Sequence, residues 1–324
     1  MRDRFTCVAV GFALVACGSA MQKAERPGRS RVEFAEKSFI EVVTGGKAPV
    51  IAGRVAEVNE RPEAGDVVQG DLVLDGIREI TRGKMGPQSR AYVSYAQYRS
   101  PYVRMKSGGQ GWNGVDIRAG TYLVAALEGR TALAVRQVGS PDDRFVRQLE
   151  WMVRAEEVQD AAQRSALLRT AAASDQNLLQ GYAHYAIGRL QRVPRNEGAT
   201  IEIGILQDAG LPEGTRIAAA TNLELALWKT GDAEDPVNQH ILRVFLATLP
   251  GAGGAVQEYL TDALYRTVIA NAPADPQYAR KLRAAASTAP ETSILAALTR
   301  REASSESEED RHDIRRLIQW VQSR

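Results

Sequence analysis

The chain has almost no cysteine: of its 324 residues only Cys7 and Cys17 carry a thiol, and both lie at the N-terminal end. A framework of bridges through the body of the protein is therefore excluded, so ordinary apolar cores must hold the fold. The chain is long enough to build them. Histidine is nearly as scarce. His184, His240 and His312 fall in separate stretches with no His-x-x-x-His spacing, and each reads as an ordinary helical residue rather than a metal ligand. There is no Gly-x-Ser-x-Gly elbow and no Gly-rich phosphate loop ending in Lys-Ser/Thr. The acids of "GDAEDP" (Gly231–Pro236) lack the alternation of a calcium loop, and Asp235 reads instead as the cap of a helix starting at Pro236. No catalytic residue, metal or cofactor is expected. Excess charge is missing too: a net charge of +2 gives no reason to expect nucleic acid as a partner. No apolar run reaches the roughly 18–20 residues that a membrane-spanning helix needs.

The one strongly apolar stretch is N-terminal and short. Arg2 and Arg4 precede mainly apolar residues from Cys7 to Ala16, and small residues follow, which is the layout of a secretory signal. Within it, Leu14-Val15-Ala16-Cys17 resembles the lipobox of bacterial lipoproteins. That resemblance implies a signal peptide over 1–16, cleavage between Ala16 and Cys17, and a diacylglyceryl group on the Cys17 sulfur. The lipid membrane is then a partner through the acylated N-terminus, at about 0.8 kcal/mol per buried methylene. The absence of aspartate at position 18 implies the outer membrane in a Gram-negative cell. The competing reading is an ordinary signal cut near Ala20. Residues 17–32 are small and polar and read as a flexible tether.

From there the pattern has period two. Pro49–Val58, Asp66–Ile77 and Ala91–Tyr98 alternate β-branched or aromatic residues with polar ones, and Thr121–Val138 does so around the turn "LEGRT". A small antiparallel barrel or sandwich over 33–140 is expected. "VIAGRVAEV", "GDLVLDG" and "RAGTYLVAALEG" resemble, in order, strands of the OB-like barrel of the netrin/tissue-inhibitor-of-metalloproteinase group. That group's cysteines are absent, so the resemblance implies the fold and not the inhibition.

After "GSPDD" the period becomes helical. Asp142 or Asp143 caps a helix holding Phe145, Leu149, Trp151 and Met152, and short breakers separate further helices up to one that turns Ile314, Leu317, Ile318 and Val321 inward. Their spacing resembles HEAT-type repeats, with an irregular helical bundle as the alternative. The fold class is thus α+β and multidomain: an OB-like antiparallel barrel followed by an all-α domain over 141–324. Stacked helix pairs present the kind of extended surface that takes a protein partner.

One more absence points to a site. Between Glu79 and Asp116 there is no acidic residue, while Arg82, Lys84, Arg90, Arg99, Arg104 and Lys106 share the window with Tyr92, Tyr95, Tyr98, Tyr102 and Trp112. Arginine and lysine supply attraction and flat rings supply stacking, a combination suited to an anionic or glycan ligand of the cell envelope. Arg90, Tyr92, Tyr95, Tyr98, Arg99, Tyr102, Arg104, Lys106 and Trp112 form this candidate face. The plainer alternative is that the tyrosines alternate between core and surface. The expected function is a non-enzymatic envelope lipoprotein acting as a binding or adaptor protein. Its rival is an envelope hydrolase or protease-inhibitor-like regulator.

Overall fold

The computed structural model describes residues 34–46, 48–61, 67–83, 85, 89–98, 112, 115–230, 234–270, 284 and 290–323. The expected signal, tether and acylation site at Cys17 lie outside them.

The strands form where the period-two pattern places them: β1 (Val50–Glu60), β2 (Val67–Glu79), β3 (Arg90–Tyr98), β4 (Tyr122–Glu128) and β5 (Thr131–Val138). They close into a barrel in the order β1–β2–β3–β5–β4. One expectation needs correction, because the barrel is mixed rather than wholly antiparallel. β3 and β5 run parallel and meet at Ser94 and Thr131. The reason is parity: an odd number of strands cannot close with every neighbour antiparallel. The barrel interior is filled by Ile51, Val55, Leu72, Leu74, Val93, Leu123 and Val135, with Tyr95 and Trp112 among them.

β1 and β4 are buried on both faces. Between the inward Ile51, Leu123 and Ala125 lie Val50, Ala52, Val124 and Ala126, which face out of the barrel into a second, larger core. Helix α1 (Phe34–Gly45) falls in a stretch where the sequence pattern gave no helix. Its Phe39, Ile40 and Val43 join that second core, and the Phe39 ring meets Phe145 edge-on at 5.3 Å. Phe145 belongs to α2 (Arg144–Glu157), which Asp143 caps through Oδ1, accepting from the Phe145 amide at 2.8 Å. Arg78 of β2 reaches across to Asp142 at 3.1 Å and to Glu150, and Arg136 of β5 stacks on the Phe145 ring. Barrel and helices therefore share one core.

The helical part continues with α3 (Ala161–Ala172), α4 (Asn177–Gly188), α5 (Arg195–Gln207) and α6 (Glu213–Thr230). It ends with α7 (Pro236–Thr248), α8 (Gly254–Tyr265), α9 (Glu291–Ser304) and α10 (Glu308–Gln322). α3 packs on α4, α5 on α6 and α9 on α10, while α4, α6, α8 and α10 contact one another in succession. The result is a two-layer stack. Asp235 does cap α7, accepting from the amides of Val237 and Asn238, and Ser307 caps α10, accepting from the amide of Asp310. Ile314, Leu317 and Val321 are buried as expected, with Ile318 half-buried beside them.

Buried carboxylates tie neighbouring helices together. Glu224 of α6 accepts from Arg266, at 2.7 Å to Oε1 and 2.9 Å to Oε2, and from the Tyr259 hydroxyl at 2.6 Å. Removing one partner of such a pair strands a buried charge, so Arg266→Ala should cost about 3 kcal/mol or more in chemical denaturation. Arg266→Ala with Glu224→Leu should recover most of that loss. In the barrel, a Cβ on Gly70 would lie 2.5 Å from the Asn59 carbonyl oxygen and 2.6 Å from the Tyr95 ring. Gly70→Ala should therefore lower stability by about 1–3 kcal/mol, read from the urea midpoint.

Candidate functional site

The candidate face is reordered by the pleat of β3. Successive residues alternate, so Ala91, Val93 and Tyr95 are buried while Arg90 and Tyr92 stay exposed. Tyr95 and Trp112 are thereby corrected from ligand-face to core residues. Trp112 is fully buried, the two rings lie 5.8 Å apart, and the Tyr95 ring covers the space above Gly70. Burial also pushes the Tyr95 hydroxyl's pKa up, helped by the nearby Glu60 and Asp71 carboxylates. Tyr98 closes β3, and Arg99, Tyr102, Arg104 and Lys106 lie outside the described residues. Of the nine candidates, Arg90 and Tyr92 are placed together on the outer wall.

Tyr92 is 51% exposed, and Arg130 from the β4–β5 turn stacks on its ring at 5.5 Å. Arg90 heads a row running across four strands. It pairs in register with Asp75 of β2, Asp75 pairs with Arg54 of β1, and Arg54 pairs with Tyr122 of β4. Directly paired residues share a face, with Cβ atoms about 4.5–5.5 Å apart. All four line a cleft of about 470 Å³, with Gly76, Ser89 and Pro141 completing the lining.

Two irregularities in the β1–β2 register aim these side chains. Gly76 and Ile77 stand opposite Gly53 alone, and Gly76 adopts φ +58°, a left-handed conformation natural to glycine. Ala56 is the compensating extra residue on β1. Between these bulges sit Arg54 and Asp75.

The charges in the row do not neutralise one another. Arg90 Nη1 turns to Glu57 Oε1 at 3.8 Å, and Arg54 Nη2 lies beside Gly120, 3.7 Å from where its Cβ would be. Among the described residues, neither Arg54 nor Asp75 forms an ion pair of 4 Å or less. Asp71 behaves differently: Arg61 at 2.7 Å and the Ser94 hydroxyl, also at 2.7 Å, hold its carboxyl below the ordinary range. Among the described residues Asp75 thus stands between two arginines whose guanidinium groups are directed to Glu57 and Gly120.

Sequence reasoning missed Arg54, Asp75, Tyr122 and Arg130, because it searched one continuous window and these residues come from four separate segments. The register was the available signal, since each strand's outward parity is fixed once its apolar positions are assigned. The histidines lie elsewhere. His184 Nδ1 is 2.9 Å from Glu202 Oε1, an oxygen that also accepts from Asn222 Nδ2 at 2.8 Å, so the group knits α4, α5 and α6. His240 and His312 are exposed. Among the described residues no group of three His, Cys, Asp or Glu side chains is placed to hold a metal, and no helix is long and apolar enough to cross a membrane. Comparison with known proteins finds no family model, no curated protein and no solved structure that matches the chain.

Proposed function

We propose that this chain is an exported, lipid-anchored envelope protein that works by binding rather than catalysis. Its anchor is Cys17 in Leu14-Val15-Ala16-Cys17, with the outer membrane as the address in a Gram-negative cell. Its barrel wall takes an anionic or glycan envelope ligand, and its helical stack takes a protein partner. The observation that carries the binding reading is the cleft at Arg54, Asp75 and Arg90, where charges converge without neutralising one another. The five-strand barrel supports it through its OB-like character, an architecture whose walls and loops commonly bind oligosaccharides and oligonucleotides. The two-layer stacking of α3 to α10 is consistent with a HEAT-like surface for protein recognition.

The anchor is tested by metabolic labelling with a fatty acid. Wild-type protein should carry label, and Cys17→Ser should carry none and accumulate as uncut precursor. Normal processing of an unlabelled wild type would sink the lipoprotein reading. The ligand face is tested by co-sedimentation with lipopolysaccharide and with peptidoglycan. Two exposed ion pairs at about 0.5 kcal/mol each amount to roughly a fivefold effect, so Arg54→Gln with Arg90→Gln should weaken capture of one polymer by at least that factor. The loss should shrink as salt is raised. Unchanged capture of both polymers by the double variant would refute the binding face.

A further inference from the structure

The cleft is more selective than an anion site. Two arginines alone would favour any carboxylate or phosphate, but Asp75 stands between them in the row. A simple anion seated at Arg54 would share the cleft with that carboxylate, and like charges about 5 Å apart repel by about 0.8 kcal/mol, roughly fourfold in affinity, even at the dielectric constant of water. A ligand carrying its own cation removes that cost. Arg54 and Asp75 are direct cross-strand partners of opposite charge, yet neither forms an ion pair with the other or with any described neighbour. Arg90 is drawn toward Glu57 and Arg54 toward Gly120, so the Asp75 carboxylate stays open to the cleft. Half-buried Tyr122, the cross-strand partner of Arg54, also lines the cleft, as does Pro141. At Gly76 a Cβ would meet nothing within 4 Å, so the space is clear there.

We propose that this cleft recognises an α-amino-acid zwitterion, free or displayed on an envelope polymer. Its carboxylate is bound by Arg54, its ammonium by Asp75, and its aliphatic part lies on the Tyr122 ring. The charged ends of Arg54 and Asp75 stand more than 4 Å apart in one cleft, and an α-amino acid, whose ammonium and carboxylate are two bonds apart, can sit between them. Arg90 stands on the far side of Asp75 from Arg54 and is turned to Glu57, so it bounds the ammonium end without contacting the carboxylate. The inference rests on reading the barrel wall as a ligand surface and names what that surface selects.

The test is titration of the mature chain with alanine, propionate and ethylamine, followed by NMR shifts of the Arg54 and Tyr122 signals. Alanine should bind at least about fourfold more tightly than either single-charge analogue. Asp75→Asn should abolish its advantage over propionate, and Arg54→Gln its advantage over ethylamine. Propionate binding as tightly as alanine would overturn the zwitterion and leave the anionic-ligand reading intact. So would a lack of shifts with all three probes while polymer capture still depends on Arg54 and Arg90. Failure of both assays would remove both readings. Where alanine binds, its competition against polymer capture marks a displayed amino acid, and binding without competition marks a free one. Either result supports the proposal.

Discussion

The two buried faces of β1 and β4 are the constraint on which the molecule depends. Alternation along a strand normally gives one wet face and one dry one. Here Ile51, Leu123 and Ala125 point into the barrel, while Val50, Ala52, Val124 and Ala126 point into the core built by α1, α2 and the helices beyond. Each buried aliphatic side chain of valine size contributes about 1.5–3 kcal/mol. Stripping the helices away would expose an apolar strip down the barrel. The same apolar contact sets the barrel's seat on the stack. Arg78 bridging to Asp142 and Glu150, and Arg136 over Phe145, then fix its rotation with contacts that are polar and directional.

The cleft follows from where that covering ends. Along β1 the outward side chains run Val50 and Ala52, which are buried, and then Arg54, which is exposed. The first bulge falls at this change, opposite Gly76, and re-aims the strand as it leaves the helices. Tyr122 on β4 and Pro141 at the end of β5 stand at the same border. The charged row therefore occupies the first line of the barrel wall beyond the helical core. Groups there are partly shielded by neighbouring protein but still reachable, where charge recognition is stronger than on an open surface and desolvation is not yet prohibitive.

The strands were legible because their apolar residues alternate strongly, and the β4–β5 hairpin because "LEGRT" punctuates two such runs. Asp143 and Asp235 were legible as helix starts because a cap is a local bond between neighbouring residues. α1 was not, although half of its residues are apolar, since its stability comes from Phe39 packing against Phe145, more than a hundred residues away. The parallel seam was equally hidden, being a property of closure and not of any single strand. The site divided in the same way. Arg90 and Tyr92 were visible in an acid-free window, and Tyr95 was misread because basic-aromatic composition does not record which face of a strand a ring occupies. Arg54, Asp75 and Tyr122 become neighbours only through register.

A cleft built from exposed charges on a sheet binds weakly, because each such pair contributes little and competes with water and salt. Weak sites become useful when they are held where the ligand is repeated. Under the proposed anchoring at Cys17, many copies share one membrane surface, and a polymer carrying many identical groups engages several of them at once. Avidity of that kind multiplies a modest affinity by large factors without any new contact. It also spares the site the burial that a tight pocket requires, which matches an open row between two bulges better than a closed cavity. The proposed lipid anchor and the shallow cleft then belong to one physical strategy, in which confinement to a surface supplies what the individual contacts do not.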